Sequence, residues 1–200
     1  MLTIGTRSLD NQGNHLVCRL PLGKMFFATV LLACCLLTIG VSQASTVVRA
    51  TLDQVLQESA FVFEGRVISK ETRLSPVNGN PFTFFIFEII DVIKGSIDGH
   101  QIELGFMGGP KGDFVLHVTD MVMPKIGEKG VYFVESLSRQ QVHPFYGWAQ
   151  GHYLVIQDAI TGREEVVPLV PLVSEPNALI ARPALEEFKS SLRNKLGNTP

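Results

Sequence analysis

From Thr51 onward, the apolar positions follow first a helical period and then a strand period. Leu52, Val55 and Leu56 recur at i, i+3 and i+4, which predicts a short helix ending near Ser59. Thr51 is placed to cap its start, and Gln54, three residues later, completes a capping box. At Phe61 the period shortens to two. Phe61, Phe63 and Val67 share one face of a strand running to Ser69, with Val62, Glu64, Arg66 and Ile68 on the other. Gly65 interrupts this strand, where a glycine marks a bend or bulge. The run Ser75-Pro76-Val77-Asn78-Gly79-Asn80-Pro81 is dense in turn formers and predicts a loop between antiparallel strands. Phe82 to Ile93 is apolar on both faces, the pattern of a central strand covered twice.

Shorter strands follow at Gln101–Met107, Asp113–Thr119, Val131–Leu137, His152–Gln157 and Glu164–Val170, separated by glycine- and proline-rich turns. From Pro168 to Pro183 four prolines enforce extended chain. Helical spacing then returns, with Leu185, Phe188, Leu192 and Leu196 in one stripe. Six or seven short strands at roughly ten-residue spacing predict a mostly β domain, a small antiparallel barrel or sandwich with a helix at each end.

The segment Met25–Val41 breaks this pattern, since it is apolar and carries no charge. Arg7, Arg19 and Lys24 precede it, and Ser42-Gln43-Ala44 follows with small residues before Ser45. That order predicts a signal peptide over 1–44, with its apolar region at 25–41 and cleavage before Ser45. Translation could instead start at Met25. The run is about long enough for an uncleaved anchor, and Leu31-Leu32-Ala33-Cys34 loosely resembles a lipobox. The expected organisation is therefore a leader at 1–44, a β domain at 45–170, and a proline-rich extended segment with a C-terminal helix at 171–200. The expected location is periplasmic or extracellular, with an N-terminal membrane anchor as the alternative.

All three cysteines, Cys18, Cys34 and Cys35, fall in the leader. The domain behind it has no disulfide, thiolate nucleophile or cysteine metal site. It keeps 14 of the 17 basic and 18 of the 19 acidic residues, a balance of about −4, with no basic run. Nucleic acid is therefore not an expected partner.

Candidate chemistry is sparse. His100, His117, His143 and His152 lack zinc-helix spacing, and His117 with Asp113 and Asp120 is a weak cation cluster. Neither a metal nor a cofactor is expected. Gly108-Gly109-Pro110-Lys111-Gly112 lacks the spacing of a phosphate loop, and no G-x-S-x-G nucleophile turn occurs. Glu88 and Asp91 lie in the most apolar strand, and Glu128 in the turn Pro124–Gly130, where it can hold backbone N–H groups. The best binding candidates are Phe145, Tyr146, Trp148 and Tyr153, which combine apolar area with polar handles suited to a protein or carbohydrate partner. The expected function is a non-enzymatic macromolecule-binding module. Two rivals stand beside it: a hydrolase using Glu88, Asp91 or Glu128, and a membrane-tethered structural domain.

Several short pieces, in order, carry a resemblance across Thr51 to Asp158. They are Leu52-x-x-x-Leu56, Val62-x-x-Gly65-x-Val67, Val92-Ile93-Lys94-Gly95, Gly108-Gly109, Pro124-x-x-Gly127-Glu128, Tyr132-Phe133-Val134 and Gly147-x-x-Gln150-Gly151. Together they resemble a widespread group of exported bacterial domains and, more distantly, netrin-type and metalloproteinase-inhibitor domains. The resemblance implies an OB-like barrel. The inhibitors chelate their target's zinc through an N-terminal cysteine, and no cysteine stands near Ser45, so it does not imply that activity.

Overall fold

The computed structural model describes residues 49–170 and 182–197, all within one compact unit. Helix α1 (Leu52–Glu58) starts on the expected capping box: the Thr51 hydroxyl accepts the Gln54 N–H at 3.2 Å, and the Gln54 side-chain oxygen accepts the Thr51 N–H at 2.9 Å. At its other end, the Lys94 ammonium donates to the carbonyls of Leu56 (2.8 Å) and Gln57 (2.7 Å), placing a cation on the negative pole.

Eight strands follow: β1 (Phe61–Leu74), β2 (Pro81–Lys94), β3 (Gln101–Met107), β4 (Gly109–Lys111), β5 (Phe114–Leu116), β6 (Lys129–Val134), β7 (His152–Gln157) and β8 (Glu164–Pro168). Helix α2 (Leu185–Gly197) ends the described chain. Six strands form one antiparallel sheet in the order β3-β2-β1-β6-β7-β8, and β4 and β5 form a separate hairpin. Where the pattern predicts a fourth strand over Asp113–Thr119, only Phe114–Leu116 pairs, and it pairs with Gly109–Lys111.

The register of β1 against β2 shifts three times, between Val62 and Phe63, Glu64 and Gly65, and Val67 and Ser69. Each bulge adds local twist, so the long pair coils. Gly65 is required there because a Cβ would stand 2.6 Å from the Phe63 ring and 2.8 Å from the Glu88 carbonyl oxygen.

The sheet separates two apolar layers. On one face, Val62, Val131, Phe133, Tyr153 and Val166 pack against Val55 and Leu56 of α1 and Leu185, Phe188 and Leu192 of α2. On the other, an aromatic interior gathers Phe61, Phe63, Phe85, Phe87, Phe106, Tyr132 and Phe145 in stacked and edge-on pairs 4.9–6.1 Å apart. The double cover expected for β2 holds only in part, since Ile90 and Val92 remain exposed. The helices are packed farther along, over Ile93 and the strands beside β1.

Helix α2 is also tied down by buried charge. The Lys189 ammonium contacts Glu64 (2.6 Å), Glu186 (2.7 Å) and Asp91 (3.0 Å), while Lys129 reaches the second Glu64 oxygen at 3.1 Å. Burial opposes the charge on Lys189, but these hydrogen bonds outweigh it and raise its pKa above the lysine range. Asp91 is raised by burial, yet the hydrogen bonds from Arg193 and Lys189 hold it below the usual carboxylate value.

Against the expected barrel or sandwich, the described strands make a mostly β domain with one six-stranded sheet, and β3 and β8 are not paired with each other. The β8 edge is blunted by Pro168, which has no N–H, and by the Val166 N–H bonded to the Pro183 carbonyl at 3.0 Å. The expected leader, 1–44, and most of the expected proline-rich segment lie outside the described residues. No helix among the described residues is long and apolar enough to cross a membrane.

Candidate functional site

The four aromatic candidates do not form one surface. Phe145, fully buried, fills the aromatic interior between Phe106 and Tyr132, and Tyr153, 4 % exposed, packs on the helix side against Phe133 and Phe188. Tyr146 donates its hydroxyl to Glu58 at 2.6 Å, and that hydrogen bond, with burial, raises its pKa to about 12. Trp148 stacks on His143, with ring centroids 5.8 Å apart and a 16° interplanar angle. Its backbone is left-handed (φ 61°), an uncommon state for a bulky residue. The Trp148 N–H bond to the Phe145 carbonyl (3.1 Å) and the following 3-10 turn hold it there.

The acids are likewise dispersed. Glu88 is exposed at the β2 surface, and Asp91 is engaged with Arg193 and Lys189. Glu128 accepts the Lys125 N–H at 3.2 Å, the turn-holding contact expected of it. It also makes a buried cluster that the sequence did not indicate: its second oxygen lies 2.7 Å from His152 Nε2 and 3.3 Å from the Tyr132 hydroxyl. Burial first, and then Glu128, push the Tyr132 pKa up. His152 is 1 % exposed and its Nδ1 is unpaired, with the rings of Tyr132 and Phe145 beside it. The pair has the atoms of a general base, but a substrate would have to enter the core to reach that imidazole. His143 is also buried: its Nδ1 accepts the Phe145 N–H, its Nε2 faces the Val122 carbonyl at 3.4 Å, and burial lowers its pKa to about 4. His100, His117, Asp113 and Asp120 are exposed, and no group of three metal-ligating side chains stands together among the described residues.

A more open site lies at the free edge of β3. The pairing of β2 with β3, extended by the Ile89 N–H to His100 carbonyl bond at one end and Gly108 N–H to Pro81 carbonyl at the other, fixes which rungs face inward. Ile102, Leu104 and Phe106 exchange bonds with β2, so Gln101, Glu103, Gly105 and Met107 turn their N–H and C=O groups outward. Met107 finds a partner, since its N–H donates to the Val142 carbonyl at 2.9 Å. The chain around Val142 is in turn joined to β6, through Val134 opposite Phe145, Glu135 N–H to the Pro144 carbonyl (3.0 Å) and Tyr146 N–H to the Phe133 carbonyl (2.8 Å). Residues 142–146 thus bridge β3 and β6 at one end.

Beyond Met107 the seam opens. The outward backbone groups of Glu103 and Gly105 have no protein partner among the described residues. A cavity of about 690 Å³ separates this edge from the segment Ser136–Gln141, within the size range of binding pockets. Phe84, Ile97, Leu104 and Leu137 give it apolar walls. Phe84 lies against Gly105, where a Cβ would come within 2.8 Å of the ring. The Arg73 guanidinium sits 3.7 Å from the centre of the same ring and pairs with Glu103. Gln141 also lines the cavity, and its side-chain oxygen is shielded from water without a hydrogen-bond donor.

Comparison of the chain with family models, curated proteins and solved structures gave no significant match.

Proposed function

We propose that the chain is an exported, non-enzymatic binding module that captures an extended segment of a partner protein along the open edge of β3. The observation that carries this reading is the pair of outward rungs at Glu103 and Gly105, unpaired beside an apolar-walled cavity. An edge strand with free rungs is a template for another chain, and an added strand supplies N–H and C=O groups at the matching spacing. Export rests on the charge, apolar and small-residue order of 1–44. The hydrolase reading has the Glu128–His152 contact in its favour, but the burial of His152 separates it from solvent. The partner is protein rather than carbohydrate because the free groups are main-chain rungs and two of the four aromatic candidates, Phe145 and Tyr153, are internal. For the fold, kinship with OB-like, netrin-type barrels is part of this proposal. Support for it comes from the coiled β1–β2 pair and from residues 142–146, which bridge β3 and β6 at one end of the seam.

The test is display selection of peptides on the full chain, followed by amide hydrogen exchange. Selected peptides should slow exchange at Glu103 and Gly105, while Ile102, Leu104 and Phe106 are slow with or without them. Peptides that bind and leave Glu103 and Gly105 unchanged would refute strand capture, as would failure to select any peptide.

A further inference from the structure

We infer that the segment captured at this seam is acidic, with apolar residues at alternate positions and a carboxylate between them. This rests on the strand-capture reading and adds the chemistry of the partner. The open stretch, Gln101–Gly105, has room for a strand of five residues, about 17 Å long. In a strand paired to Glu103 and Gly105, alternate side chains point to opposite walls of the seam. Those on the side of Leu104 meet Leu104 and Ile97, so they must be apolar. Those on the side of Glu103 and Gly105 meet Phe84 and Arg73, and they stay near solvent.

The charge lining the cavity is unequal. Two arginines, Arg73 and Arg139, line the cavity with one carboxylate, Glu103. Arg73 is committed to Glu103, which neutralises that acid and keeps it from repelling a ligand. Arg139 has a weaker attachment: it is 71 % exposed and its contact with Glu135 is 3.7 Å long. A carboxylate on the bound strand can approach it more closely and bond to it through two N–H groups.

Three synthetic peptides of about nine residues, alternating threonine and valine, with aspartate, serine or lysine at the central polar position, distinguish the possibilities. Binding to the full chain is followed by fluorescence anisotropy. The aspartate peptide should bind about fivefold tighter than the lysine peptide, the scale of one exposed ion pair. In the Arg139→Glu chain this order should reverse, while the serine peptide binds as before. Equal affinities for the three peptides, or an unchanged order in Arg139→Glu, would overturn the acidic preference. In that event strand capture still stands if N-methylation of the peptide backbone abolishes binding. No binding by any of the three would overturn both readings.

Discussion

Replacing Lys189 by methionine isolates the charge network that docks α2, because the apolar stem is kept and only the ammonium is lost. Glu64 is 2 % exposed, and in the wild type its two oxygens are divided between Lys189 at 2.6 Å and Lys129 at 3.1 Å. Removing one member of a buried ion pair costs about 3–5 kcal/mol when the other is left uncompensated. Lys129 remains here, so the expected loss is lower, about 2–4 kcal/mol. Urea unfolding read by circular dichroism measures it, with an unchanged slope confirming that compactness is unaltered. The double variant Glu64→Gln/Lys189→Met should recover a large part of the loss, because the stranded charge is gone. The pH dependence follows from the shifts. Lys189 has its pKa raised above 10.5, so its contribution is complete below that value and fades only as pH rises through the folded pKa. Asp91 has its pKa lowered from 3.8, so its share is complete above that value and is lost as pH falls through the folded pKa. The difference between Lys189→Met and wild type should therefore be flat across neutral pH. A loss below about 1 kcal/mol, the scale of an exposed pair, would refute the claim that buried charge ties down α2.

Two further perturbations check the other layers. Gly65→Ala pushes a methyl into the Phe63 ring and the Glu88 carbonyl, and should destabilise by about 1–3 kcal/mol; an unchanged urea midpoint would show that the bulge has room. His143 has its pKa lowered from 6.5 to about 4 by burial, so its neutral form supports the fold fully above 6.5 and the benefit is lost as pH falls from 6.5 to 4, by about 3 kcal/mol at most. Wild type should lose stability faster than His143→Gln over that window, and parallel pH profiles would refute it.

Much of the fold is legible because the two periods are clean. The Leu52, Val55, Leu56 stripe and the Thr51–Gln54 capping box place α1 to the residue, and the stripe Leu185, Phe188, Leu192 faces the sheet as its spacing requires. Gly65 marks a real bulge. The failures share one cause: periodicity reports which side of a strand is apolar and is silent on what covers it. The residues of β2 suggest cover on both faces, yet Ile90 and Val92 are exposed. The stretch after Gly108 has the residues of a turn followed by a strand, although its first part, Gly109–Lys111, is one arm of a hairpin. Aromatic clustering in sequence is likewise silent on which layer each ring joins. Phe145 and Tyr153 are eight residues apart but lie in different apolar layers, on opposite faces of the sheet.

The β3 seam could not be read from residue types, because it is a property of hydrogen-bond register. Gln101–Met107 alternates in the same way whether its outer rungs are paired or free. The one trace is Glu103, a charged side chain on an edge strand, where it discourages indiscriminate pairing. That trace and the geometry argue together for a selective site. At β8, Pro168 and the Pro183 bond cover the edge; at β3, among the described residues, only the rung at Met107 is closed, by Val142. The same bridge, fastened to β6 through Pro144 and Tyr146, holds the far wall in place without a ligand. A captured strand would thus find both walls preformed, and most of the ordering cost would fall on the strand itself. Such a site would favour segments that are already extended, and Arg139 at its rim would then select among them by charge.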